Sequence, residues 1–388
     1  MLKNLKKDKS KLNIAICSFD WRNIAENSPD EMIQKLERDG FNPLQNDFLF
    51  FGWAHNKLNR KWNNFIFVHK KAPIIPPLCH LFSIFSFARS LSKNNFKPDI
   101  VVVYDIGFIP SALVARRIFK SKIVLCLTNM PGEIAKTRRF ALLRSFYQRL
   151  IELLFLRFVD IVYTINETVG GYAIEKGVPK DRIVIFAPNT IARDRNLIEK
   201  SKKGAVREAY GISSDKKIIL SMGRLEEEKG FDRLLRAFAE LNSPELIMLI
   251  AGEGSLRKDL EALAEKLNIK DKCFFVGKAS REERWDFYRD ADVFILLSYS
   301  EGLGLVFWEA MHMGIPIVGS PVGGIVETIG RDGERGFFWD ERYGIDDLKQ
   351  KIKSIIPGDA KIEAMKKCAK EYVAQKIGKT SSINNYFN

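Results

Sequence analysis

The feature that most restricts this chain is an alternation kept up almost from end to end, in which short apolar runs are followed by longer amphipathic stretches. Runs that short, rich in Val, Ile and Phe, suit strands, and the stretches between them suit crossover helices. Strand, crossover and strand again builds parallel sheets with helices on both faces, so the chain reads as α/β. In the first half the strands read as LNIAIC from Leu12, DFLFFG from Asp47, NFIFVH from Asn64, DIVVVY from Asp99, KIVLCLT from Lys122, IVYTIN from Ile161 and RIVIFA from Arg182. A break at Pro188-Asn189-Thr190 opens a polar stretch to Lys203 with no strand signal, which reads as a linker. The rhythm then restarts with KKIILSMG, LIMLIAGEG, CFFVG, VFILLS and PIVGS. Two domains follow, residues 1–192 and 193–369, as two doubly wound sheets facing a central cleft, with ligands expected at the carboxyl ends of the strands.

Length agrees, since 388 residues exceed one ordinary core. The 62 Lys and Arg against 48 Asp and Glu leave a net charge of +14, which asks for an anionic partner. Nucleotide phosphate, nucleic acid and an acidic membrane face all answer that description. The five cysteines are widely spaced without a CxxC pair, so neither a disulfide framework nor a zinc site is expected, and a reducing cytoplasm is. The basic N-terminus lacks the apolar stretch of a signal peptide. The apolar run from Ala72 to Ala88 falls short of the roughly 20 residues a spanning helix needs, so no transmembrane segment is expected.

The densest chemical signal is Ser300-Glu301-Gly302-Leu303-Gly304-Leu305, after the strand VFILLS and running into a helix with Glu309. Gly302 and Gly304 allow a tight turn and leave amides uncovered at the helix start, where phosphate is stabilised by free N–H groups and the helix dipole. Glu301 and Glu309 are placed to face the cleft and accept hydrogen bonds from sugar or ribose hydroxyls. A second signal, Gly223-Arg224-Leu225-Glu226-Glu227-Glu228-Lys229-Gly230, ends the strand KKIILSMG. Arg224 offers a planar fork and Lys229 a compact charge, which together neutralise a pyrophosphate with no metal required.

GRLEEEKG, AGEGSL, EGLGLVFWEAM and PVGGIVE together resemble the retaining nucleotide-sugar glycosyltransferases of the GT-B fold, family four. The likeness covers the second half, and its main signature is two glutamates with seven residues between them, here Glu301 and Glu309. The resemblance implies that Glu309 holds the nucleotide ribose. Glu301, Gly302, Leu303, Gly304 and Leu305 would hold the donor sugar and phosphates, Gly223, Arg224 and Lys229 the pyrophosphate, and the backbone near Val276 and Lys278 the base. It implies retention of anomeric configuration, with Glu301, Arg224 and Lys229 as the catalytic set. It also implies a C-terminal helix, residues 370–388, that packs back on the first domain. The donor implied is a nucleoside diphosphate sugar, UDP-linked before GDP-linked, and the acceptor a glycan or a lipid-linked molecule in cell-surface polysaccharide or glycolipid synthesis. The first half resembles the family less, with Cys17-Ser18-Phe19-Asp20-Trp21 where members commonly carry a glycine-rich turn. Asp105, Asn129 and Glu133 follow first-half strands and are the acceptor-side candidates.

Asp290-Ala291-Asp292 has the form of a metal-binding DxD, yet it abuts the strand VFILLS and is expected to cap the helix before it. From Lys136 to Phe158 six basic residues face Glu152 alone, interleaved with Leu, Ile and Phe, which fits either a core crossover helix or a peripheral contact with the anionic inner face of a membrane. Two rival functions remain at this stage. A nucleotide-sugar epimerase of the same fold would need acids and bases around the sugar. A nucleic-acid-binding protein has only the charge in its favour, and no recognition motif.

Overall fold

The computed structural model describes residues 12–17, 46–54, 58–62, 65–71, 76–127, 141–185, 190–356 and 359–378. The chain divides into two compact units, with the break between Pro188 and Asn189. That is the Pro188–Thr190 break read from the sequence, a few residues ahead of the expected domain limit at 192.

The first unit is built on an eight-stranded sheet: β1 Asn13–Cys17, β2 Asp47–Ala54, β3 Leu58–Trp62, β4 Phe65–Lys71, β5 Ile100–Val103, β6 Lys122–Leu127, β7 Ile161–Thr164 and β8 Ile183–Ile185, in the order β3-β4-β2-β1-β5-β6-β7-β8. Central strands such as IVVV in β5 and NIAIC in β1 are buried on both faces, as a parallel sheet between helical layers requires. All seven strands read from the sequence are present. The added one, β3, pairs antiparallel with β4 at the edge, and its sequence LNRKW has no apolar run to announce it. A charged edge strand is one way that a sheet discourages pairing with another chain. Helices α1 Pro76–Lys93, α2 Ile109–Phe119, α3 Ala141–Phe155 and α4 Glu167–Glu175 accompany this sheet. Phe87, Leu91, Phe108, Ile151 and Leu156 join the strands in one apolar core.

The second unit has six parallel strands: β9 Lys217–Met222, β10 Leu246–Ala251, β11 Cys273–Gly277, β12 Val293–Leu296, β13 Ile317–Gly319 and β14 Phe337–Phe338, in the order β11-β10-β9-β12-β13-β14. The order reverses between β9 and β12, and in such sheets the crevice at the carboxyl ends of the two strands flanking the reversal is where ligands bind. Its helices include α5 Ala205–Ala209, α6 Phe231–Leu241, α7 Arg257–Lys266, α8 Glu283–Asp290, α9 Leu305–Met313, α10 Gly323–Ile329, α11 Gly344–Ile355 and α12 Ala360–Gly378.

Two expectations change here. The polar stretch read as a bare linker contains two short helical segments, Thr190–Arg193 and Arg195–Lys200. Of the C-terminal segment 370–388, residues 370–378 group with the second unit, where Tyr372 of α12 meets Trp308 of α9 edge-on at 6.0 Å and Lys376 pairs with Glu327 at 3.1 Å. Residues 379–388 lie outside the described residues. Asp290 caps α5 instead of its own helix, accepting from the amides of Gly204, Val206 and Arg207, while Asp292 takes Arg207, Lys217 and the Ile218 amide. Those aspartates are committed to holding α5 and β9, which gives the DxD spacing a structural role.

Candidate functional site

The loops after β9 and β12, the two strands at the reversal, are joined before any side chain is considered. The carbonyl of Glu228 accepts from the amides of Tyr299 at 2.9 Å and Ser300 at 3.3 Å. Gly230 has φ +62°, and a β-carbon there would collide with the carbonyl oxygen of Leu297, so only glycine lets the first loop lie against the end of β12. Gly252 and Gly254 fill the same need on the other side: a β-carbon on either would strike the carbonyl of Gly223 or Leu225. The AGEGSL glycines are therefore close-approach residues that let β10 and the GRL loop pack backbone to backbone, tied by Gly223 N–H to Ala251 O at 3.0 Å and Leu225 N–H to Glu253 O at 2.9 Å.

Across this junction Lys229 Nζ donates to Glu301 Oε2 at 2.6 Å, with both side chains largely buried at 15% and 11% exposure. Ser298 Oγ donates to the same oxygen at 3.4 Å. The backbone of Glu301 is pinned as well, its carbonyl accepting from Gly324 N–H at 3.0 Å, and Gly323 at φ +48° has no room for a β-carbon against it. Gly302, Leu303 and Gly304 are buried, and Gly304, in the left-handed region, caps α9 with no side-chain hydrogen bond to the helix start. Leu305 then begins a helix in which the Phe307 amide already bonds the Gly304 carbonyl at 2.8 Å, while the amides of Leu305 and Val306 come before the intrahelical ladder starts. A basic side chain, a carboxylate and a helix N-terminus thus converge at the carboxyl edge of β9 and β12. Such an arrangement suits a ligand carrying both phosphoryl oxygens and hydroxyls.

Arg224 lies on the same edge but outward, its side chain 69% exposed and paired with Glu228 at 2.7 Å. An exposed pair of that kind contributes little to stability, so the guanidinium is at liberty to turn to an incoming anion. Val276 is half-buried and Lys278 exposed at the end of β11, where Gly277 O accepts from Gly252 N–H at 2.7 Å.

Glu309 is enclosed within its own unit. It is 3% exposed, with Arg284 Nη1 donating to Oε1 at 3.0 Å and Tyr288 Oη to Oε2 at 2.9 Å. Burial pushes its carboxyl pKa up, an effect the Arg284 charge partly offsets. Its carboxylate faces α8. Beneath the same helix, fully buried Asp194 accepts from Arg281 and from Trp285 Nε1. Neither Arg284 nor Tyr288 was singled out from the sequence; their only trace is a spacing of four within α8, one face of a helix.

On the first unit, Asp105 follows β5 at that sheet's own reversal and caps a 3-10 turn, accepting from Gly107 N–H at 2.8 Å. Asn129 and Glu133 lie outside the described residues.

Residues 202–372 match the protein family Glycosyl transferases group 1. A D-inositol 3-phosphate glycosyltransferase of Mycolicibacterium smegmatis is 34% identical over 201 residues, 50% of this chain and 44% of that protein. The chain thus spans less than half the length of that relative. Among solved structures, a sucrose-phosphate synthase of Thermosynechococcus elongatus aligns with TM-score 0.73 at 19% identity, covering 94% of this chain and 95% of that one. Anabaena HepE in complex with UDP-glucose aligns with TM-score 0.68 at 16% identity, covering 97% of both chains. These likenesses establish the fold, GT-B, over both units.

Proposed function

From the glycosyl transferases group 1 domain that occupies residues 202–372, we propose that this chain is a retaining glycosyltransferase working on a nucleoside diphosphate sugar. UDP is favoured over GDP, since HepE, of the same fold, was solved with UDP-glucose. The acceptor proposed is a glycan or a lipid-linked molecule on the cytoplasmic side of the membrane, in the building of surface polysaccharide or glycolipid.

The observation that carries the reading is the Lys229–Glu301 contact at the reversal of the second sheet, beside the open start of α9. Cleavage of the anomeric bond builds negative charge on the leaving diphosphate, and fixed donors aimed at that oxygen lower the barrier. Lys229 and the amides from Leu303 to Leu305 serve that purpose in place, and Arg224 joins by leaving Glu228. Glu301, once Lys229 turns to phosphate, accepts from sugar hydroxyls. Retention follows if the departing phosphate takes the acceptor proton on the face it leaves, which asks no separate base of the protein and no metal of the site.

Thermal shift against a panel of UDP- and GDP-sugars tests donor binding directly, because a ligand that binds only the folded state raises apparent stability. UDP-sugars are expected to raise the melting temperature of the wild type and of Arg224→Ala less so. Turnover by Arg224→Ala is expected to fall about 10²- to 10³-fold, by comparison with loss of one oxyanion donor. Wild-type turnover by that variant at saturating donor overturns the assignment.

A further inference from the structure

Helix α3 and the 3-10 turn Leu156–Phe158 present an apolar stripe to solvent. Phe146 is 68% exposed and Leu153 75%, with Leu150, Leu154 and Phe158 also exposed. These positions follow the spacing that lines one face of a helix. The opposite face is the one in the core, where Ile151 and Leu156 are buried. Large apolar side chains left out singly need no explanation, but five along one face mark a surface that meets something apolar.

The charges around the stripe say what. Arg149 and Arg157 are exposed, and Arg157 lies over the ring of Phe158 at 5.0 Å. The single acid of this helix, Glu152, is 4% exposed and turned inward to Lys176 Nζ at 3.7 Å. The outward face therefore carries positive charge without a balancing carboxylate of its own. A second copy across a two-fold axis would set these arginines against one another. An anionic bilayer offers negative headgroups for the arginines and acyl chains for the rings and leucines. No helix among the described residues is long and apolar enough to cross a membrane, so the contact lies in the interface plane.

We propose that the outward face of α3 and its 3-10 extension, Phe146, Arg149, Leu150, Leu153, Leu154, Arg157 and Phe158, is a docking surface for an anionic lipid bilayer. Its position gives the contact a use, a step that rests on the glycosyltransferase reading. Tyr147 follows Phe146 in sequence, and its phenol is pushed up to about 12 by burial and, to a smaller extent, by the charge of nearby Asp105. Helix α3 also packs against the 3-10 turn that Asp105 caps. One end of the stripe is thus beside the carboxyl edge of the first sheet, where a lipid-linked acceptor would present its headgroup.

The test is co-sedimentation of the full-length protein, without donor, with phosphatidylcholine vesicles with and without phosphatidylglycerol. Binding is expected only with phosphatidylglycerol and is expected to weaken as salt is raised. Phe146→Glu with Leu153→Glu should weaken it at least about tenfold at unchanged melting temperature. Arg149→Glu with Arg157→Glu should weaken it by about fivefold or more for each charge reversed. Binding that ignores both pairs of substitutions overturns the proposal, as does equal binding to neutral vesicles. A wild-type dimer that Leu153→Glu disperses would assign the face to a second copy instead and equally overturn it. Because UDP plays no part in this readout, its failure leaves the donor-site reading to the thermal-shift panel.

Discussion

Lys229 and Glu301 stand 72 residues apart in sequence and 2.6 Å apart in the fold. Each was legible as a candidate because its loop carries glycines at positions where a tight turn exposes backbone, but no local pattern told that the two touch. Their contact has a consequence for kinetics. Lys229→Met removes the charge and leaves a largely buried Glu301 carboxylate with Ser298 as its remaining described donor. Turnover is expected to fall about 10²- to 10³-fold in kcat with a smaller change in KM, since the charge matters most when the leaving group develops its own. A rise in KM alone would show that Lys229 serves ground-state binding. Glu309 was legible in its spacing and not in its surroundings, because what buries it is a pair of residues on α8 that no motif marks. Burial first, against a smaller opposing effect from Arg284, raises its folded pKa above the ordinary 4.5. Between those two values the folded chain holds more protons than the unfolded chain, so stability falls as pH rises through that window. Glu309→Gln abolishes that slope. Melting temperatures of wild type and variant, followed upward from pH 4.5, are expected to differ in steepness, and parallel curves would count against the assignment.

At the scale of elements, apolar runs announced twelve of the strands, and what escaped had a physical reason in each case. β3 is a charged edge strand paired on one side, and β14 is two residues, Phe337–Phe338, too short for any period. The linker's short helices escaped because segments that brief owe their form to tertiary contacts such as those Asp194 makes, rather than to propensity. The loops after β9 and β12 are joined by backbone, which places the burden on glycine. Gly230→Ala adds about 1–2 kcal/mol from the left-handed backbone alone, and the collision with Leu297 O adds to it. A fall of about 2–4 °C in melting temperature for each kcal/mol is expected, together with weaker UDP binding as the Glu228 carbonyl is pulled from Tyr299 and Ser300. Unchanged UDP affinity in a destabilised Gly230→Ala protein would mean that this junction holds the fold and not the site. The AGEGSL glycines make a useful contrast, since their need for closeness to Gly223 and Leu225 joins segments about thirty residues apart, which no local pattern encodes.

At the scale of the molecule, the alternation of strand and crossover was enough to reveal two sheets and the break between them, because the buried central strands of a parallel sheet are written as apolar runs. Strand order is different: it depends on which crossovers turn back, and nothing local encodes that. Yet the order is what makes the site, for the loops after β9 and β12 become neighbours only because the second sheet reverses there. Each unit closes its own core, the first around Phe87, Phe108 and β5, the second around strands such as LIMLIA in β10. If the donor binds at the reversal of the second sheet alone, its binding free energy belongs to that unit's stability. Hydrogen exchange of the full chain with UDP at a hundred times its Kd is then expected to slow the most protected amides of β9, β10 and β12 by about 100-fold, the factor that mass action sets. The core amides of β1 and β5 should exchange at their former rate. Equal protection in both sheets would mean that the two units unfold as one, or that UDP is held by both, and either result would remove the donor site from the second unit's sole keeping.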